Sequence, residues 1–577
     1  MARHDPIDVA ADGIEPGRRL IRVEGDRGAS LSQRLAESLL RLTWRTPLHQ
    51  LRLRGRYPLK LLAAPDDPVI GDLKAGQALL QGFILWRGEK LSIRELDFTK
   101  LQGSPGLIDY LHSFAWLRDL STAGTRTQGA PVAEAIMSRW LRAHAEKVDG
   151  IAWRSELWGR RILFWTAHAP LILSSRDPVY RSAVLNTLAR GARHLDRAAD
   201  RAPAGVPRVA AWSGLIAAGL LIPGGEPRKL FAEAGLKRAL SSAFTDDGGT
   251  ICRSPAGLLD GIALLSLLRA AYDARREQPL PEVEMVLAQA VPALLGATHG
   301  DGGLASWQGG LPLDRLRVQA VVEASGVRAR PLRQSRDWGY QRLAGGSTVV
   351  TMDAAPPPAT RTGAGACSST LAFEMSDGPH RLVISCGGAR CSGAQLPVQL
   401  ATALRASAAH STLVVGDVNS TSVLADGNLG KGVVEVEIDR QELENGSRIE
   451  ASHDGYVRRF GLIHRRQLAL SVDGRQLSGE DMLLPAGRKK GSAAFALRFH
   501  LAPGIEVTLT ADSQGALLRA DNAPLWQFRC KGGQLEIEES LWVDAGGRPR
   551  ATQQLVVSGE APPGGASIGW LFKRAGS

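Results

Sequence analysis

The hydrophobic pattern of this chain changes period once along its length, and that change restricts it to two kinds of structure placed in series. From about residue 30 to 295, apolar residues recur at helical spacing in segments such as LSQRLAESLLRL, VAEAIMSRWLRAHAEK, VYRSAVLNTLARGARHL, VAAWSGLIAAGLLI and GLLDGIALLSLLRAAYDA. Helix stops such as IPGGEP and TDDGG separate them. From about residue 335 the pattern becomes short alternating runs rich in Val, Thr and Leu, among them GSTVVTMDA, HRLVISCGG, GVVEVEID, RQLALSVDG and GQLEIEESLWVD. A sequence patterned for one period does not settle into the other. The chain is therefore read as an all-α domain of helical pairs over 31–330 and an antiparallel β-sandwich over 331–577, preceded by a mobile segment over 1–30. The Pro-rich stretch from Ala354 to Ala359 falls inside the β region and reads as a loop.

A length of 577 residues is too great for one core and allows roughly two to four domains at about 100–200 residues each. Apolar content of 44% with 22% charged residues is that of a chain that folds. The formal charge is +12, carried mostly by arginine, whose planar fork suits carboxylate, sulfate and phosphate. That points to an anionic partner or to a generic basic surface. No Walker A, GxGxxG, zinc-finger or RNA-recognition signature is present, so nucleic acid is not taken as the partner. Five cysteines without a CxxC pair encode neither a zinc ribbon nor a disulfide framework; they read as buried thiols, with Cys386 and Cys391 able to close a small loop. The first residues lack the apolar core of a signal peptide, and no uninterrupted apolar run reaches the length of a membrane span, so no integral membrane segment is expected.

The densest chemistry lies in Ala451 to Leu484, where two histidines, a tyrosine and five arginines occur in a region of alternating strands. HDGY followed by RRFGLIHRRQL, a DG turn and GEDML resembles the C-terminal β domain of the heparinase II/III-like proteins, which belong to the polysaccharide lyases. The run from His410 through Val415 with Asp417, the segment DGGLASWQGG from Asp301, the run HSFAWLRDL from His112, and ILFWTAHAPLIL from Ile162 fit the same resemblance, which spans about residues 35 to 572. It implies an incomplete α/α toroid followed by an antiparallel β-sandwich, with an acidic polysaccharide lying in the cleft between them. It also implies β-elimination on a uronic acid. There a cationic or hydrogen-bonding group masks the carboxylate, a base takes the C5 proton, and an acid protonates the leaving oxygen. The family works outside the cytoplasm, whereas the missing signal peptide implies the cytoplasm.

Three positions depart from that pattern. Where active members carry Asn or His ahead of the helix resembling VAAWSGLIAAGLLIP, this chain has Gly205-Val206-Pro207-Arg208. Where they carry a Tyr after Ser-Pro, it has Ser254-Pro255 followed by Ala, Gly, Leu258 and Leu259. Where they carry a His-x-His segment, it reads Gly365 to Ser369, GACSS. No cofactor is expected; a metal held by Cys367, Cys386 and His410 is the alternative reading.

Two function classes stay open: a lyase with a rebuilt centre, and a noncatalytic acidic-glycan-binding or envelope-associated scaffold. For a lyase the candidates are Tyr456 as base, its phenolate favoured by Arg458, with His453, His464 and His410 as proton or carboxylate partners. Strand alternation through HDGY would place His453 and Arg459 on one face and Tyr456 and Arg458 on the other. Arg208, Arg458, Arg459 and Trp307 are the substrate-binding candidates, and Trp116, Trp153, Trp158, Trp165 and Trp212 are either sugar platforms or core. His168 reads as a core histidine, and His112, Arg118 and Asp119 as a packed helix face. A hydrolase would need paired carboxylates such as Glu480 with Asp481, or Asp301, but no spacing singles out a pair.

Overall fold

The computed structural model describes residues 7–8, 14–15, 17–23, 46–55, 57–58, 60–359, 365–388, 396–425, 427–487 and 491–575. The expected helix over LSQRLAESLLRL, the mobile reading of most of 1–30, and Cys391 lie outside the described residues.

Helices begin where a side chain can take up the unbonded N–H groups of the first turn. Asp177 caps the helix Pro178–Ala198 and Ser254 caps Pro255–Ala274, each with proline in the first turn, where a missing N–H costs nothing. Ser155–Ala167, Val206–Leu221 and Pro255–Ala274 pack on one another at the centre of the helical region, with Arg126–His144, Pro178–Ala198, Glu226–Ala243 and Pro281–Gly296 around them. Among the described residues only Pro255–Ala274 is long and apolar enough to cross a membrane, and most of it is buried inside the fold.

Glycines set the closest helix contact. A Cβ on Gly159 would lie 2.0 Å from the carbonyl oxygen of Ala210, and one on Gly214 would lie 2.3 Å from that of Gly159. The backbones of Ser155–Ala167 and Val206–Leu221 therefore touch directly, and no side chain fits between them. Gly214→Ala is expected to push the two helices apart and cost about 1–3 kcal/mol, read as a lowered midpoint in thermal or urea unfolding.

Two large antiparallel sheets follow. In the eight-stranded sheet the order is Gln534–Val543, Pro549–Ala561, Ala493–Leu501, His380–Ile384, Phe373–Asp377, Thr348–Asp353 and Tyr340–Gly345, with Leu413–Val415 also paired to Ala493–Leu501. In the nine-stranded sheet the order is Glu506–Leu509, Gly515–Arg519, Trp526–Lys531, Ala566–Arg574, Gln476–Pro485, Leu462–Ser471, Gly446–His453, Glu435–Leu443 and Gly17–Arg22. The last is an N-terminal strand closing the edge of a C-terminal sheet, with Ile21 opposite Val436 and packed on the sandwich core.

Alternation places every second residue in the core. Leu462, His464, Arg466, Leu468 and Leu470 are buried while their neighbours are half-exposed. A core built on Leu468, Phe499, Phe528, Trp570 and Phe572 fills the space between the sheets. The helical core is continuous with Trp307, Trp338, Tyr340 and Ala372, so the two regions share buried apolar surface at their junction.

Candidate functional site

The junction is sewn by buried ionic and polar contacts. Arg253 precedes the Pro255–Ala274 helix and holds a left-handed backbone, φ 55°, which a non-glycine residue adopts only where its surroundings enforce it. Its guanidinium donates to the carbonyls of Trp338 (2.9 Å) and Pro356 (2.9 Å) and to the Asp353 carboxylate. Asp353 is fully buried and also accepts from Gln308 Nε2 (3.0 Å) and Ser369 Oγ (2.6 Å), while Gln308 Oε1 accepts the Cys367 N–H (2.9 Å). Burial works against the Arg253 charge, but the Asp353 carboxylate outweighs it and holds the arginine above its usual pKa.

The DGGLASWQGG segment is part of the same seam. His299 Nε2 pairs with Glu374 (2.8 Å), whose other oxygen accepts the Ser306 N–H (3.0 Å), and Arg381 forms a two-point pair with Asp301 at 2.7 and 3.2 Å. Trp307 is fully buried, 6.1 Å from the Tyr340 ring centroid in a stacked arrangement, so its predicted approach to a ligand is not what the fold provides. A Cβ on Gly309 would lie 2.5 Å from the Gly365 carbonyl, and one on Gly388 2.3 Å from that of Gly310. Backbone meets backbone at these two points of the junction. Shallow depressions of about 320 and about 190 Å³ occur elsewhere, one beside Lys74 and Phe83, the other beside Glu442 and Val472.

The HDGY residues behave differently from the expected strand. The strand Gly446–His453 ends at His453, Asp454-Gly455 turns the chain, and Val457–Phe460 is a short helical turn closed by Gly461 in the left-handed conformation. Tyr456 turns into the core, 1% exposed, and its hydroxyl donates to the Leu413 carbonyl (3.0 Å). Burial pushes the phenol well above its usual value, which corrects the expectation of a favoured phenolate beside Arg458. Arg458 and Arg459 are exposed on the helical turn, Arg459 lying 5.7 Å from the Phe460 ring centroid. Tyr456→Phe is accordingly expected to cost about 0.5–1.5 kcal/mol of stability in urea unfolding, without altering turnover of any polysaccharide.

His453 and His464 form a buried chain. The Gly455 N–H donates to His453 Nδ1 (3.1 Å), which fixes the proton on Nε2; that nitrogen faces His464 Nδ1 at 3.2 Å, and His464 Nε2 faces Asp481 at 2.7 Å. Both imidazoles are thus neutral, with their protons pointing toward the carboxylate. Asp481 further accepts a two-point pair from Arg466 (2.8 and 3.1 Å) and the indole N–H of Trp570 (2.8 Å). Arg466 completes its donors on the carbonyls of Leu371 (2.6 Å) and Ser411 (2.8 Å). Burial raises the Asp481 carboxyl, but the Arg466 charge and the His464 hydrogen bond prevail and hold it at about 2. Burial above all, with the Arg466 charge behind it, holds His453 well below its usual value. Every one of these side chains is within a few per cent of complete burial. The chain of hydrogen bonds begins at a backbone N–H and ends in the sandwich core, giving substrate no point of contact.

His410 is fully buried as well, and neither ring nitrogen has a hydrogen-bond partner among the described residues. Burial, then the charge of His500, lowers it to about 3. Cys386 sits instead against His500 (3.5 Å) and Ser540, and Cys367 against the Gly365 carbonyl. Among the described residues no three His, Cys, Asp or Glu side chains converge as metal ligands, so the alternative reading of Cys367, Cys386 and His410 as one set does not hold.

Other candidates resolve simply. Arg208 is half-buried at the start of its helix, its Nε donating to the Ala202 carbonyl (3.0 Å). Leu258 and Leu259, which follow Ser254-Pro255 where the resemblance implied a tyrosine, are buried. The five tryptophans at 116, 153, 158, 165 and 212 are core. His168 pairs with Asp67 (3.2 Å), and Asp119 is buried under the Tyr110 hydroxyl (2.6 Å). Glu480 and Asp481 point to opposite faces of their strand, which removes them as a carboxylate pair.

The residues that sequence reasoning missed are the anchors: Asp353, Glu374, Arg253 and Arg466. Arg466 carried a readable signal, because a charged side chain at an inward position of an alternating strand demands a buried partner.

Residues 327–571 match the family model described as "Heparinase II/III-like, C-terminal". The chain is 31% identical over 552 residues to FtsZ-localized protein C of Caulobacter vibrioides, covering 91% of this chain and 92% of that protein. A crystal structure of heparinase III superposes with a TM-score of 0.68 at 14% identity, covering 94% of this chain and 90% of the other. The heparan sulfate lyase HepC of Pedobacter heparinus superposes with a TM-score of 0.57 at 13% identity, covering 94% and 88%. At such identities the solved lyases speak for the fold alone.

Proposed function

Because the chain belongs to the heparinase II/III-like family, we propose that it is a member that has kept the lyase architecture while losing the chemistry, and that it works as a noncatalytic scaffold recruited to FtsZ. The observation that carries this reading is the burial of the candidate centre. Tyr456, His453, His464 and His410 lie in the sandwich core, with their pKa values moved away from neutrality in the direction that makes proton transfer harder. A general base must reach the proton it removes and must change protonation state near the working pH. None of the four meets either condition. Leu258 and the closed seam at Arg253 and Asp353 support the same conclusion.

Recruitment to FtsZ rests on the relative from Caulobacter vibrioides, whose name records that localization and whose sequence aligns over nearly the whole chain. Two assays test the proposal together. Purified protein incubated with heparin, heparan sulfate, chondroitin, hyaluronan and alginate is expected to give no rise in ultraviolet absorbance from unsaturated product. The same protein is expected to sediment with polymers of purified FtsZ. An absorbance rise on any substrate would overturn the noncatalytic reading, and failure to sediment with FtsZ would overturn the recruitment.

A second reading, β-elimination on an acidic, uronic-acid-containing glycan, is favoured by one observation: exposed Arg458 and Arg459 offer cationic contacts beside the sandwich. In its weaker form, binding of the glycan without cleavage, it is compatible with the scaffold. Glycan binding that weakens with Arg458→Ala and Arg459→Ala, measured by calorimetry, would support that form.

A further inference from the structure

Each large sheet ends, among the described residues, in a strand whose outer side carries no neighbouring strand. One end of the nine-stranded sheet is Gly17–Arg22, with Glu506–Leu509 at the other, and one end of the eight-stranded sheet is Gln534–Val543, with Tyr340–Gly345 at the other. Such edges present unpaired N–H and C=O groups and are ordinarily blunted by bulges, proline or scattered lysines. Here Gly17–Arg22 and Gln534–Val543 are both regular, and the second is taken at its last residue, where the Val543 N–H donates to the Cys386 carbonyl (2.8 Å). Gly17–Arg22 pairs with its neighbour over six consecutive residues and Gln534–Val543 over ten, neither with a register shift.

Their charges are opposite. The first strand, GRRLIR, carries three arginines and no acid; the second, QLEIEESLWV, carries three glutamates and no base. Arg18, Leu20 and Arg22 are exposed and share the outward face; Arg22 bonds Glu435, while Arg19 bonds Glu15. On the other strand Glu536 and Glu539 are exposed, and Glu538 is shared with Arg498 and Gln554.

We propose that these two edges are the two halves of one interface between copies of this chain, the acidic strand of one copy adding to the basic strand of the next. Backbone hydrogen bonds between the strands would supply affinity, and the opposite charges would select the partner and suppress like-with-like pairing of two basic or two acidic edges. The contact joins two different surfaces, so it is not closed by a twofold axis. A joined pair retains one unused edge of each kind, and the assembly grows as a chain in which a sheet of one subunit continues into a sheet of the next. This reading stands independently of recruitment to FtsZ.

The test exploits that asymmetry. Sedimentation velocity of the full-length protein at about 50 mM salt is expected to show species above the 61.7 kDa monomer that grow with concentration and diminish at about 500 mM salt. Arg18→Glu combined with Arg22→Glu disables the basic edge, and Glu536→Lys combined with Glu539→Lys disables the acidic edge. Each variant alone is expected to remain monomeric, with an unchanged circular dichroism spectrum. Mixed in equal amounts, the two variants again set opposite charges against each other at both pairs of edges and are expected to recover species larger than the monomer that grow with concentration. A monomeric wild type at all concentrations, variants that still assemble, or a mixture that stays monomeric would each overturn the proposal.

Discussion

Asp481→Ala is expected to be among the most damaging single substitutions in the β domain, lowering its stability by about 3–5 kcal/mol. The carboxylate sits at the convergence of His464, Arg466 and Trp570, all buried. Removing it leaves the Arg466 guanidinium in the sandwich core with two carbonyls but no counter-charge, and His464 and Trp570 each lose the acceptor for an N–H. The loss is that of a buried pair broken from one side, which far exceeds the net value of the pair itself. Urea unfolding followed by circular dichroism reads the effect as a lowered midpoint. Asp481→Asn keeps one acceptor oxygen, for either Trp570 or His464 but not both, and loses the charge, so it falls between wild type and alanine. A loss below about 1 kcal/mol for the alanine variant would show that the network is not what holds the sandwich together. The sign with pH follows from the depressed carboxyl: its contribution is present above the unfolded value near 3.8 and is lost as the pH falls through about 2.

Acidification between pH 6.5 and 4 is expected to act earlier, through buried histidines. His112 and His194 in the helical region and His410 in the β domain are held at about 2, 3 and 3 by burial above all. Each takes up a proton near 6.5 when unfolded and none when folded over that window. The unfolded state therefore binds more protons, and stability falls as the pH falls, by about 1.4 kcal/mol per pH unit for each such histidine. His410 offers the cleanest test, because its ring nitrogens make no hydrogen bond that a substitution would break. His410→Leu is expected to flatten the pH dependence of the β domain by one histidine's share and to raise its midpoint at pH 5 relative to wild type. If His410 instead supplied a ligand or a catalytic proton, the same variant would lose activity or metal without changing that slope. Urea midpoints at pH 7, 6 and 5 decide between these outcomes.

How far the structure could be read from the sequence depended on whether local pattern or distant covering decided the matter. The change from helical to alternating period was plain in the residues; the cappers Asp177 and Ser254 were not read there. The helix Arg315–Ser325 was missed in the zone where the period fades, although Asp314 ahead of it and Gly326 behind it, left-handed at φ 65°, are the ordinary start and stop signals. HDGY was read as strand because alternation was extended through Asp454-Gly455, a turn pair. Gly455 packs so closely that a Cβ there would lie 2.6 Å from the Ser420 carbonyl, a constraint invisible in the local pattern. The candidate centre failed for a related reason. Alternation says which face His464 and Arg466 occupy but not what lies over that face; Leu371, Ser411 and Trp570, which enclose them, come from 95, 55 and 104 positions away. Asp353 and Arg253 are likewise 100 positions apart, and neither looks special alone.

The strand Gly17–Arg22 gives the chain an unusual timetable. Its partner strand begins at Glu435, and the Arg22–Glu435 contact spans 413 positions. At about 5–20 residues per second, the ribosome takes roughly 20–80 s to deliver the strand that this one must meet. The helical region can fold during that interval, while the arginine-rich strand waits for a partner made 413 positions later. Completion of the nine-stranded sheet is thus a late event relative to the synthesis of its edge strand.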